Sequence, residues 1–176
     1  MIEQPQNWPS TAGWLSPSVP ALNKAIVFRA MADIGICEMP PSSNRSGRID
    51  AYNTRAGAPL GSYWCASAVT TWYVDAGADV PGTGRASCDV IMQWAKKQGL
   101  FVPKAGPVLP GYMVLYGLET DAEHIGLVIR ESPYQISVEG NTSFSGFSRN
   151  GEAVLVKRVD SARVVGYVRP RSRQTA

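Results

Sequence analysis

The chain has 176 residues, 44% of them apolar and 18% charged, enough for one domain around a single core, with no apolar run near the ~20 residues that a membrane span needs. Its 17 Lys and Arg against 14 Asp and Glu give a net charge of +3, and that mild excess lacks the basic stripe and docking motif of a nucleic-acid binder. Nucleic acid and a membrane span are therefore excluded as expectations, and the basic residues read as ordinary solvated charge. Cys37, Cys65 and Cys88 cannot all pair, and their spacing matches neither a zinc site nor a disulfide framework. Glu3 precedes any Lys or Arg and no apolar segment follows, so the N-terminus does not read as a secretory signal and synthesis in the cytoplasm is expected.

Residues 1–22 hold Pro5, Pro9, Pro17 and Pro20 among polar residues. This composition reads as an irregular arm, which Trp8, Trp14 and Leu15 can anchor. Helical spacing then predicts a first helix from Lys24 to Ile34 with Asn23 before it and Gly35 as its stop. A short helix is expected over Arg48 to Arg55, and a longer one over Cys65 to Ala76. A further helix spans Cys88 to Gln98, with Ser87 as cap and Gly99 as stop. Past Pro110 the texture changes to short β-branched and aromatic runs, which predict strands at Tyr112–Tyr116, His124–Arg130, Gln135–Glu139, Ala153–Val159 and Val164–Arg169. Helices first and strands afterwards is an α+β pattern. The body is expected over residues 23–170, with 171–176 as a basic tail.

His124 is the only histidine, so any chemistry that needs an imidazole base at neutral pH must use it. Cys65 opens its helix, where unpaired N–H groups and the helix dipole favour thiolate over thiol. The competing reading is a buried apolar cysteine. Cys88, also at a helix start, is the rival nucleophile, but it lacks the aromatic lead-in Tyr63-Trp64 and is followed by the acidic Asp89. Cys37 reads as structural. A hairpin about Glu131-Ser132-Pro133 that pairs Ile125 with Val138 and Leu127 with Ile136 puts apolar side chains on one face. The same register sets His124 opposite Glu139, with Asn141 one diagonal step beyond. Such an acceptor fixes the imidazole tautomer and leaves the other nitrogen for sulfur; the alternative for Glu139 is a solvated charge at a strand end. Small Gly126 and Ser137 on that face are expected to let the Cys65 helix come close to the sheet.

Ser43-Asn44 with Ile49 and Tyr52, Tyr63-Trp64-Cys65-Ala66, Asp121-Ala122-Glu123-His124-Ile125-Gly126, Glu139-Gly140-Asn141-Thr142 and the closing Gly166-Tyr167-Val168-Arg169-Pro170 together resemble the CHAP domain. These are cysteine- and histidine-dependent amidohydrolases and peptidases among the papain-like peptidoglycan hydrolases. The resemblance runs from about Ala25 to Pro170. It implies a papain-like α+β fold, with N-terminal helices on a C-terminal antiparallel sheet of about five strands. It also implies Cys65 as nucleophile, His124 as general base, Glu139 as the residue orienting it and Asn141 as assistant.

The activity so implied is cleavage of an amide bond in bacterial peptidoglycan, by an N-acetylmuramoyl-L-alanine amidase or a stem or cross-link endopeptidase. The protein would be a phage lysis enzyme released through a holin, or an antibacterial effector injected into rivals and matched by a cognate immunity protein. Two alternatives stand beside it: an acyltransferase or transpeptidase using the same Cys-His pair, and a non-catalytic wall-binding module. Tyr63, Trp64, Tyr112 and Tyr116 are candidates for the walls of a groove that holds glycan or stem peptide, with core packing the alternative for each. Some CHAP domains carry an Asp-rich calcium loop before the cysteine. Here Gly47 to Tyr52 offers only Asp50, too few oxygens for calcium, so neither metal nor cofactor is expected.

Overall fold

A computed structural model describes residues 15–143 and 151–174. Four helices come first: α1 (Ala21–Ala32), α2 (Gly47–Ala56), α3 (Cys65–Asp75) and α4 (Cys88–Lys97). Six strands follow, β1 (Phe101–Pro103), β2 (Met113–Leu118), β3 (Asp121–Arg130), β4 (Ile136–Thr142), β5 (Ala153–Arg158) and β6 (Val164–Val168). They form one antiparallel sheet in the order β1-β6-β2-β3-β4-β5. The α+β expectation holds, and the sheet gains one strand over the five read from sequence. β1 was missed because three residues ending in Pro103 are too short to show alternation.

Helix α3 is the spine. Every residue from Cys65 to Tyr73 is buried, the mark of a helix covered on all sides: α1 and α2 lie against it, and β3 and β4 pass beneath it. Ile125, Leu127, Ile129 and Val138 join Val69, Trp72 and Ile26 in the core between helices and sheet. The Tyr73 hydroxyl donates to the Gly111 carbonyl at 2.7 Å and accepts from the Met113 N–H at 3.1 Å, tying the far end of α3 to the start of β2. Asp33, just past α1, accepts from Tyr52 Oη at 2.6 Å, Trp72 Nε1 at 2.7 Å and Arg48 at 2.9 Å, so one carboxylate joins three helices. Trp72 is therefore core, as expected, and Trp94 packs at the edge of the same core.

Helix α1 starts at Ala21, ahead of the predicted Lys24, and Asn23 serves no cap: it is buried inside the first turn and donates to the Pro110 carbonyl at 2.7 Å. Ser87 does cap α4, accepting from the Val90 N–H. Leu15 and Val19 are buried against the body, while Trp8 and Trp14 lie outside the described residues. The basic tail is docked as far as Arg173. Ser172 bridges to Ala78, the Arg173 N–H donates to the Gly77 carbonyl, and Arg171 pairs with Asp79 at 2.5 Å. The folded body thus extends past residue 170.

The β3–β4 register differs from the expected one by two residues: Leu127 faces Val138 and Val128 faces Ser137, with a bulge before Arg130. A shift of two keeps every side chain on its predicted face. The glycine that matters for helix approach is nonetheless a different one from that expected. Gly126 and Ser137 lie on the face away from the helices with Val128, and Gly140 is the point of contact, where a Cβ would sit 2.8 Å from the Trp64 ring and 3.1 Å from Ala68 Cβ. Gly140→Ala is therefore expected to lower stability by about 1–3 kcal/mol, because the bulky ring beneath has no flexible end to yield. A denaturant midpoint equal to wild type would contradict this packing.

Candidate active site

The loop entering α3 is braced from four directions. Trp64 is fully buried, its indole N–H donates to Glu38 at 3.0 Å and its ring stacks on Tyr52 with centroids 6.0 Å apart. Asn53 Nδ2 donates to the Ser62 carbonyl at 3.1 Å. Asn141 is buried at positive φ; with its amide nitrogen donating to the Gly151 carbonyl at 2.5 Å, its oxygen accepts the Trp64 N–H at 3.2 Å. Trp64 is the N-cap residue of α3 and makes no side-chain cap of its own, so Asn141 and Glu38 together fix the helix start that carries Cys65. Asn141 thus contacts the backbone of Trp64, the residue before Cys65, and not the imidazole.

His124 is 1% exposed. Its Nε2 meets Glu139 Oε2 at 3.1 Å, which leaves Nδ1 as the other ring nitrogen, and the ring lies near enough to Cys65 for each group to shift the other's pKa. The observed register, continued, puts Glu139 beside Gly126, where a Cβ would crowd Glu139 Cγ at 2.7 Å. The carboxylate therefore reaches His124 diagonally across the space that Gly126 leaves open, not from directly opposite. Its other oxygen, Oε1, accepts from Tyr116 Oη at 2.7 Å and from Ser137 Oγ at 2.7 Å. Each oxygen of this buried carboxylate is engaged, as a charge in a low-dielectric site requires.

Burial works against charge on His124, yet the neighbouring Cys65 and Glu139, and the charges they carry, push it up to about 10. The Cys65 thiol is held well below its usual 9.0, first by a hydrogen bond with Cys88, then, against the opposing effect of burial, by His124 and the Ala66 N–H. Burial would raise Glu139, but His124, Ser137 and Tyr116 hold it below 4.5. Tyr116 is pushed well above 10.0, by burial first and then by the Glu139 charge, so its hydroxyl is a standing donor. These directions describe a thiolate–imidazolium pair backed by an ionised carboxylate.

Cys88, the rival nucleophile, sits next to Cys65 with the two sulfurs 3.9 Å apart, and Cys37 is exposed in a separate bridge with Ala153. Of the groove candidates, Tyr63 is 55% exposed, but Trp64 and Tyr112 are not surface residues. Trp64 braces the start of α3 from inside the core, and Tyr112 packs with Val114, Tyr116 and Tyr167 under the other face of the sheet. Tyr116, read as a groove aromatic, is instead the donor to Glu139. Sequence reasoning also missed Glu38, Asn53 and Ser137 as supports of the site. Among the described residues no group of three or more His, Cys, Asp or Glu is arranged to hold a metal ion, and no helix is long and apolar enough to cross a membrane.

No family model matches the chain, and neither a curated protein nor a solved structure is found to match it.

Proposed function

We propose that the protein is a cysteine hydrolase that cleaves an amide bond of bacterial peptidoglycan. The observation that carries the hydrolase reading is the buried grouping of Cys65, His124 and Glu139, in which Glu139 holds Nε2 at 3.1 Å and leaves the other ring nitrogen for the thiol at the start of α3. The choice of peptidoglycan as substrate rests on the CHAP-like motifs around Cys65, His124 and Glu139.

In this reading the Cys65 thiolate attacks the amide carbonyl, forming a carbon–sulfur bond and a tetrahedral oxyanion. The Cys65 N–H, at the start of α3, is the natural donor to that oxyanion. Protonated His124 then gives its proton to the departing amine as the carbon–nitrogen bond breaks, leaving a thioester on Cys65. Neutral His124 next takes a proton from water, whose oxygen attacks the thioester. Collapse frees the carboxylic acid and returns the thiolate and imidazolium. Glu139 keeps the ring in one orientation throughout, held in turn by Tyr116 and Ser137.

The substrate test is digestion of purified sacculi followed by mass analysis of the released fragments. New free N-terminal alanine identifies amidase action, and new ends within the stem or cross-link identify an endopeptidase. Sacculi left without new amine ends by the folded protein would overturn the substrate assignment.

The pH dependence has a sign set by the pair. As pH falls, Cys65 takes up a proton and loses its nucleophile, at values well below its usual 9.0. As pH rises through about 10, His124 loses the proton that the leaving amine needs. A plot of kcat/KM is therefore expected to be level through neutral pH and to fall on the alkaline side near 10. A profile that climbs from neutrality with the ordinary titration of a thiol would contradict the pair.

A further inference from the structure

Cys88 forms and breaks no bond in the hydrolytic steps, yet it is 8% exposed beside a 7% exposed Cys65, with the sulfurs 3.9 Å apart. Each cysteine is the first residue of its helix, α3 or α4, so two helix starts converge on one sulfur pair. A disulfide needs the sulfurs at ~2.05 Å, so side-chain rotation has less than 2 Å to close. Cys37, the third thiol, is on the surface and bridges to β5 by its backbone.

We propose that Cys65 and Cys88 form a reversible oxidation site, in which a hydroperoxide oxidises Cys65 and Cys88 resolves the product as a Cys65–Cys88 disulfide. The oxidant is a small hydroperoxide, which needs less room than any amide substrate reaching the same sulfur. In the first step the Cys65 sulfur attacks the outer peroxide oxygen and the O–O bond breaks. Cys65 becomes a sulfenic acid, and the released alkoxide takes a proton from His124 to leave as an alcohol. In the second step Cys88 attacks the Cys65 sulfur, and hydroxide departs as water with the proton that Cys88 gives up. Two thiols are oxidised and one peroxide is reduced, giving one alcohol and one water.

A low-pKa thiol with a resolving partner in contact is the arrangement that halts oxidation at the reversible stage, before sulfinic and sulfonic acids form. The disulfide removes the thiolate on which hydrolysis depends, and an added dithiol restores it by exchange. The chemistry belongs to the sulfur pair and holds whatever amide Cys65 attacks.

The test uses the full chain treated with hydrogen peroxide near equimolar amounts, alkylated, and analysed by peptide mass. The expected wild-type product is the Cys65 peptide joined to the Cys88 peptide, with Cys37 still alkylated and with dithiothreitol returning both peptides. In Cys88→Ala, or Cys88→Ser if the alanine variant does not fold, the same treatment is expected to carry Cys65 on to sulfinic and sulfonic acid. Wild-type Cys65 reaching those acids as fast as the variant, with no linked peptide, would overturn the proposal. So would linkage through Cys37. The readout is covalent mass, so it stands apart from any result with peptidoglycan.

Discussion

If the proposed hydrolysis holds, Cys65→Ala is expected to lower peptidoglycan turnover by ~10⁴-fold or more while leaving the fold intact, because a covalent route would lose its nucleophile. The loss in packing is small, one sulfur at the end of a helix held by Trp64, Asn53 and Asn141 contacts that the substitution does not touch. Cys88 offers the sharpest control. Its sulfur is 3.9 Å from that of Cys65, but its part is one weak S–H donor, so Cys88→Ala under reducing conditions is expected to keep turnover within about tenfold. The pair of variants, assayed on the same sacculi, separates the two thiols. Turnover surviving in Cys65→Ala and vanishing in Cys88→Ala would exchange their roles.

Glu139→Ala is expected to reduce both rate and stability. From sequence, Glu139 reads as a strand-end group whose loss harms turnover more than folding; its place inside β4, 4% exposed, corrects that view. Removing the carboxylate leaves the Tyr116 and Ser137 hydroxyls and the His124 ring without their shared acceptor. Orphaning buried donors of this kind costs about 2–4 kcal/mol. The rate is expected to drop by about 10²–10⁴-fold as the imidazole loses its orientation and its counter-charge. Glu139→Gln keeps an acceptor without the charge, so it should fold nearly as well as wild type and turn over faster than the alanine variant. Denaturant midpoints and kcat/KM on both variants check the claim, and an alanine variant with wild-type kcat/KM would remove Glu139 from the relay.

Much of this site was legible because the residue types leave few choices. One histidine, one cysteine at a helix start behind Tyr63-Trp64, and one acid on the neighbouring strand select themselves. Strand parity put Glu139 on the face of His124 even though the register was off by two, since a shift by an even number of residues moves the pairing without turning side chains over. The supports were harder to see. Glu38 looks like a loop acid and Asn53 like a polar residue of an exposed helix, and only the folded chain brings them under Trp64 and Ser62. Tyr116 pairs directly with His124 across β2 and β3, and a ring beside the imidazole reads as a groove wall before its hydroxyl reads as a donor. Cys88 was noticed as a rival, but nothing in its spacing from Cys65 foretold that α3 and α4 begin side by side.

The central claim is that Cys65 is held as a thiolate by Cys88 and by His124, the latter backed by Glu139. Its most direct test is the rate of Cys65 alkylation by iodoacetamide as a function of pH, followed by peptide mass in wild type and in His124→Ala. In wild type the rate should stay high far below the ordinary thiol value of 9.0, and in His124→Ala the profile should shift upward toward that value. A wild-type rate that rises only through the ordinary range, superimposed on that of His124→Ala, would contradict the account.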